Sequence, residues 1–171
     1  THHFANFYNR ISFEFVRRMA GSGLVDEARE LLVDAGYHCA FNTFGGIMKS
    51  AEWDAVVRPM CATEDDWVHG MVAVVNALGW GTWRVQSLDD GQLTVTITDD
   101  YESTGYIAMY GRADAHVAYL ASGGVAGIQN LVRVGDIAQG PTLDSDFFAK
   151  CFEAEGSWRT VAARCSAQGD R

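Results

Sequence analysis

The chain has 171 residues, 22 acidic against 13 basic for a formal net charge of −9, and 48% of it is hydrophobic, 12% aromatic and 20% charged. This length suits one domain, residues 1–171, with a substantial core, and the composition excludes an intrinsically disordered chain. Negative charge without a basic cluster argues against nucleic acid and anionic lipid as partners, and no apolar run approaches the roughly 20 residues that span a bilayer.

The elements follow in chain order from hydrophobic periodicity. Phe4, Phe7, Tyr8, Ile11, Phe15 and Met19 recur at mostly three- and four-residue steps, which predicts an amphipathic helix ending at Gly21-Ser22-Gly23. A helical pattern restarts over Leu24 to Met48, where Gly36 and Gly45-Gly46 imply a kink or a tight helix crossing. Ala51 to Met60 reads as a short helix. Thr63-Glu64-Asp65-Asp66 reads as the capped start of another, to Leu78, with a core stripe through Trp67, Met71, Val74 and Val75.

The period then changes to two. Trp80 to Leu88 and Leu93 to Thr98 predict a β-hairpin about Asp89-Asp90-Gly91-Gln92. Tyr101 to Arg112 is expected to be a loop with a turn at Gly105. Ala113 to Arg133 is expected to be a helix carrying Gly123, Gly124 and Gly127, Leu143 to Glu155 a short helix, and Trp158 to Cys165 a strand joining the hairpin. Residues 1–78 are thus mainly helical, and residues 79–171 hold the hairpin, the glycine-rich helix and the last strand. The fold class expected is α+β, an antiparallel sheet covered by helices. The glycines at 123, 124 and 127 lie within a helix instead of opening one after a strand, so they do not make a phosphate-binding loop.

Cys39, Cys61, Cys151 and Cys165 are widely spread without a CxxC pair, and the first residues form no signal-peptide-like apolar stretch. A reduced, cytoplasmic protein with buried free thiols is expected.

Several of these segments in succession resemble a known family. They are the helix ending at Gly36, the Gly79-Trp80-Gly81 entry to the hairpin, the helix Leu120-Ala121-Ser122-Gly123-Gly124-Val125-Ala126-Gly127 and the closing Arg164-Cys165-Ser166-Ala167-Gln168-Gly169-Asp170. In this order the chain resembles the 4-vinyl reductase, or hydrocarbon-binding, domain over residues 25 to 171. The terminal Cys-x-x-x-Gly-Asp run is the most specific piece. The resemblance implies a usually dimeric bacterial domain with a mostly apolar pocket for a small aromatic or hydrophobic ligand. Members include phenol-type sensor domains of transcription activators and proteins linked to bacteriochlorophyll synthesis.

Zinc-bearing members place a cysteine before the small-residue helix, an acidic residue three before the terminal cysteine, that cysteine, and another eight further on. Here the first two positions read Ala118 and Ala162, Cys165 matches the third, and the fourth falls past Arg171. One thiolate does not close a tetrahedral site, so no metal and no cofactor are expected unless His116, Cys151 or Glu155 substitutes.

Among individual residues, His38 and Asn42 lie four apart on one helix face, so that His38 is a candidate general base or ligand anchor with Asn42 fixing its tautomer, or the two are a satisfied polar pair at a helix crossing. Tyr101, Glu102, Tyr106, Tyr110 and Arg112 crowd the segment after the hairpin. Arg112 suits a carboxylate and the tyrosines an aromatic ring, the alternative being a tyrosine packing layer with a surface ion pair. His116 and Glu102 are further acid–base candidates, and Trp80 and Trp83 candidate walls of a cavity. Two functions remain open: a binding module for a small aromatic or hydrophobic ligand, and a small hydrolase or lyase acting on an aromatic or heterocyclic amine or acid through His38, His116 or Glu102.

Overall fold

The computed structural model describes residues 2–89, 91–113 and 115–159, with side chains from Ala5 onward. Among these residues the chain forms seven α-helices and one two-stranded antiparallel sheet, an α+β fold with a helical N-terminal region. No helix among them is long and apolar enough to cross a membrane.

Helix α1 (His2–Ala20) turns at Gly23, whose φ of 76° suits glycine, into α2 (Val25–Cys39). The path stays helical through a π-helical turn at Ala40–Phe44 into α3 (Gly45–Met48). α1 does not bury its predicted apolar stripe: Asn9, Ser12 and Phe13 face inward, while Phe7 and Ile11 are exposed.

The predicted tight crossing is where α2 meets α6 (Tyr119–Gln129). A Cβ placed on Gly36 would lie 2.5 Å from the Leu120 carbonyl oxygen and 2.8 Å from Gly123 Cα, so only glycine admits this approach. Gly127 meets Ala40 one turn further along the same crossing. Small residues at four-residue spacing on both helices let the backbones touch, and the rings of Phe41, Phe44 and Phe152 fill the space around them.

Trp53–Val57 is a π-helical turn followed by a 3₁₀ turn at Arg58–Met60, and α4 (Glu64–Ala77) starts as predicted. The Thr63 hydroxyl accepts the Asp66 N–H and the Asp66 carboxylate accepts the Thr63 N–H, a reciprocal cap; the Thr63 hydroxyl, donating to that carboxylate, and the Thr63 and Ala62 amides hold it below its usual range. Trp67, Met71 and Val75 are buried in the main core. Strands β1 (Thr82–Asp89) and β2 (Gln92–Thr98) pair with Trp83 opposite Ile97 and Val85 opposite Val95. The Asn76 side chain completes the entry to β1 as a neighbouring strand would, accepting the Trp83 N–H at 2.7 Å and donating to the Trp83 carbonyl at 3.0 Å.

Expectations for four segments are corrected. Tyr101–Tyr110 is a helix, α5, because Asp100 caps it by accepting the Glu102 and Ser103 N–H groups, both at 3.0 Å, and Gly111 ends it at a φ of 78°. Gly105, read as a turn, is instead where α5 presses on α1: a Cβ there would overlap the Asn9 side chain. The glycine-rich helix begins only at Tyr119, so His116 precedes it. α7 (Ser145–Phe152) is shorter than expected and is capped by Asp144. Trp158 and Arg159 are not in a strand, and the remainder of the strand expected over Trp158–Cys165 lies outside the described residues, as does Cys165 itself.

Candidate functional site

The site starts from two local facts about sequence. Asp100 caps α5, which fixes Glu102 in its first turn, facing inward. Ala118, at the N-cap of α6, has no side chain able to cap it. The N-terminal amides of α6 therefore need an acceptor from elsewhere, and Glu102 supplies it. Its carboxyl accepts the Leu120 N–H at 3.0 Å and the Ala121 N–H at 2.9 Å, and the Tyr8 hydroxyl donates to it at 3.3 Å.

Glu102 is 0% exposed. Burial pushes its pKa up to about 7, although the two helix amides favour the charged form and pull the other way. The Tyr8 and Tyr101 hydroxyls are pushed up as well, first by burial and then by the charge of Glu102. The Cys39 thiol is raised by burial and also feels Glu102.

Aromatic rings run up to this carboxyl. Phe44 and Trp80 have centroids 5.5 Å apart, Trp80 and Tyr101 6.1 Å, and Tyr101 and Tyr8 5.9 Å. Phe44 is buried in the core, whereas Trp80, Tyr101 and Tyr8 are half-buried. Asn9 closes the α1 side by donating to the Tyr101 carbonyl at 2.8 Å, and its buried Oδ1 has no partner among the described residues.

The other predicted residues fall into separate places. His116 lies 2.9 Å from the Ser122 hydroxyl, which is 2.6 Å from the Ala118 carbonyl. A carbonyl only accepts, so the serine hydroxyl donates to Ala118, not to the imidazole as an activated serine requires. Burial also lowers the His116 pKa. His38 is exposed and stacked on Phe148 at 4.4 Å. Asn42 does not fix its tautomer, because it bonds the His38 backbone carbonyl at 2.9 Å.

Tyr106 and Tyr110 belong to a second apolar cluster around Phe13. Tyr110 donates to Glu14 at 2.7 Å and carries the Arg17 guanidinium over its ring. Arg112 is exposed just after α5. Trp83 is buried, and its indole donates to the Trp80 carbonyl at 3.3 Å. Of the predicted set, the structure thus gathers Glu102, Tyr101 and Trp80 into one site.

At the first zinc position of the resembling family Ala118 offers no donor, and among the described residues no three His, Cys, Asp or Glu side chains lie close enough to share a metal ion.

Tyr8 and Asn9 join the site without any sequence signal, because nothing in the sequence ties them to a segment more than 90 residues away. The one available signal was an uncapped helix start at Ala118 that requires an acceptor from elsewhere. Comparison with known proteins found no matching family model, no matching curated protein and no matching solved structure.

Proposed function

We propose that the chain is a binding domain for a small aromatic or hydrophobic ligand, of the 4-vinyl reductase kind, and that the ligand lies along the rings leading to Glu102. The observation that carries this reading is the series Phe44, Trp80, Tyr101 and Tyr8 ending at a fully buried carboxyl group. Ring faces and edges supply apolar contact, and a carboxyl that titrates near neutrality, with the Tyr8 hydroxyl beside it, supplies a polar anchor able to accept or donate. The order of segments shared with the hydrocarbon-binding domain supports the same reading, and occupancy would be passed to a partner domain or a second copy.

The test is thermal shift with calorimetric titration against phenols, benzoates and tetrapyrrole precursors. A ligand at a hundred times its Kd adds about 2.7 kcal/mol of stability. The expected result is stabilisation of the native protein that Tyr101→Ala and Glu102→Gln each reduce. No stabilisation by any of these compounds overturns the reading.

The near-neutral titration of Glu102 favours a second reading, a small hydrolase or lyase in which this carboxyl transfers the proton. Turnover of an aromatic amine or acid that disappears in Glu102→Gln, while the variant still binds the compound, would select it over the first.

A further inference from the structure

We infer that the ligand of the Glu102 site is an organic ammonium ion, an apolar amine taken in its protonated form, an inference that rests on the reading that a ligand lies along the rings leading to Glu102. The region holds acidic groups without a counterion. Asp100, 7% exposed, and Glu102, 0% exposed, stand two residues apart at the start of α5. Among the described residues no lysine or arginine pairs with either of them. His116 feels Asp100, but burial outweighs that attraction and lowers its pKa. Buried carboxyls without a cation are costly, and a cationic ligand offsets that cost.

The donors of the site are already committed. The Leu120 and Ala121 amides and the Tyr8 hydroxyl all donate to Glu102. The group left over is an acceptor: Asn9, 1% exposed, has no partner for its Oδ1 among the described residues. Its Nδ2 donates to the Tyr101 carbonyl, which only accepts, so the amide is fixed in this orientation, over the turn of α5 that carries Glu102. A buried acceptor requires a donor.

Trp80, Tyr101 and Tyr8 are half-buried π-systems of the kinds that attract cations most strongly. One ammonium group supplies both a positive charge and N–H donors, whereas a phenol hydroxyl brings a single donor without charge and a carboxylate brings neither. A bare metal ion is not served here, since among the described residues no three His, Cys, Asp or Glu side chains lie close enough to share one.

The experiment is calorimetric titration of the full chain with benzylamine, benzyl alcohol and benzoate, which share one ring, at about pH 6, just below the value of about 7 to which burial pushes Glu102. Benzylamine should bind about tenfold or more tighter than benzyl alcohol, and benzoate should not bind. A cation favours the charged carboxyl, so benzylamine should release a proton from Glu102, read as a heat that differs between buffers of low and high ionisation enthalpy. The Tyr8 and Tyr101 hydroxyls and the Cys39 thiol, all raised by burial, stay protonated at this pH. Glu102→Gln should remove both the proton release and the preference for the amine, and Trp80→Leu should weaken benzylamine with helicity unchanged. The proton release is read on the native protein, so it decides even where Glu102→Gln does not fold.

Benzyl alcohol or benzoate binding as tightly as benzylamine overturns the inference and leaves the binding-domain reading standing. So does benzylamine binding that releases no proton, that a folded Glu102→Gln leaves unchanged, or that high salt abolishes, since the last reports only attraction to a chain of net charge −9. If none of the three binds, the inference falls, and the phenols and tetrapyrrole precursors then decide the broader reading by themselves.

Discussion

The Glu102 carboxyl accepts the Ala121 N–H at 2.9 Å, so a side chain of α5 caps a helix that begins well after α5 has ended. A negative charge at a helix N-terminus is favourable, and burial of that charge is not. The two effects oppose each other at one residue, and burial prevails, leaving the carboxyl to titrate near neutrality.

Glu102→Ala leaves the Leu120 and Ala121 amides without their acceptor in a buried place. The expected loss is about 2–4 kcal/mol, from the desolvated donors and the space left by the side chain. Urea unfolding monitored by tryptophan fluorescence measures it, and a loss below about 1 kcal/mol would show that the cap is dispensable.

The raised pKa of Glu102 sets a pH dependence with a definite sign. Its contribution is fully present below the unfolded value of 4.5 and is lost as pH rises to about 7, an upper bound of about 3 kcal/mol. His116 acts oppositely: its lowered pKa gives a contribution present above 6.5 and lost as pH falls below it. The difference between the native protein and Glu102→Gln isolates the first effect. Relative to native, the variant should gain melting temperature from pH 4.5 to pH 7, and a difference that is flat over this window would contradict the assignment.

Two glycines provide a matched pair. Gly123→Ala drives a Cβ into the Val33 carbonyl and the Gly36 backbone, so α2 and α6 must separate, at a cost of about 3 kcal/mol. Gly46, helical and exposed, has nothing within 4 Å of an added Cβ, and Gly46→Ala should stabilise by roughly 0.5–1 kcal/mol. Chemical denaturation of both variants checks the prediction, which fails if their effects have the same sign.

Asn76→Ala removes both bonds to the Trp83 backbone at the mouth of the hairpin, for an expected loss of about 2 kcal/mol. Asn76→Asp keeps the acceptor for the Trp83 N–H and loses the donor, so it should fall between the two. Hydrogen exchange of the Trp83 amide, expected to speed up in Asn76→Ala, reports the local opening.

His38→Ala should change stability by less than about 1 kcal/mol and leave ligand binding unchanged, because the ring is exposed and its main contact is the face of Phe148. A loss of binding in this variant would return His38 to the site.

Local order was legible wherever a residue's own neighbours in the chain decide its conformation. The Thr63–Asp66 cap, the period-two strands 82–89 and 92–98 and the tight crossing at Gly36 belong to this class, since caps, alternation and glycine spacing are short-range signals. The segment 101–110 is a helix instead of the expected loop: Gly105, which suggests a turn, answers to Asn9, a contact no window of sequence contains.

Which side of α1 meets the core was decided by tertiary structure alone. Periodicity places Phe7 and Ile11 on a common face, yet the space beside α5 takes Asn9 and Phe13, and the other two point to solvent. The site follows the same rule. Composition supplies a carboxyl, two tyrosines and a tryptophan, and only the packing of α1, α5 and α6 removes water from Glu102 and gives it two helix amides as partners. Burial depends on groups distant in the chain, so residue identity is written in the sequence, whereas the energy of its charge is fixed only once the fold has closed around it.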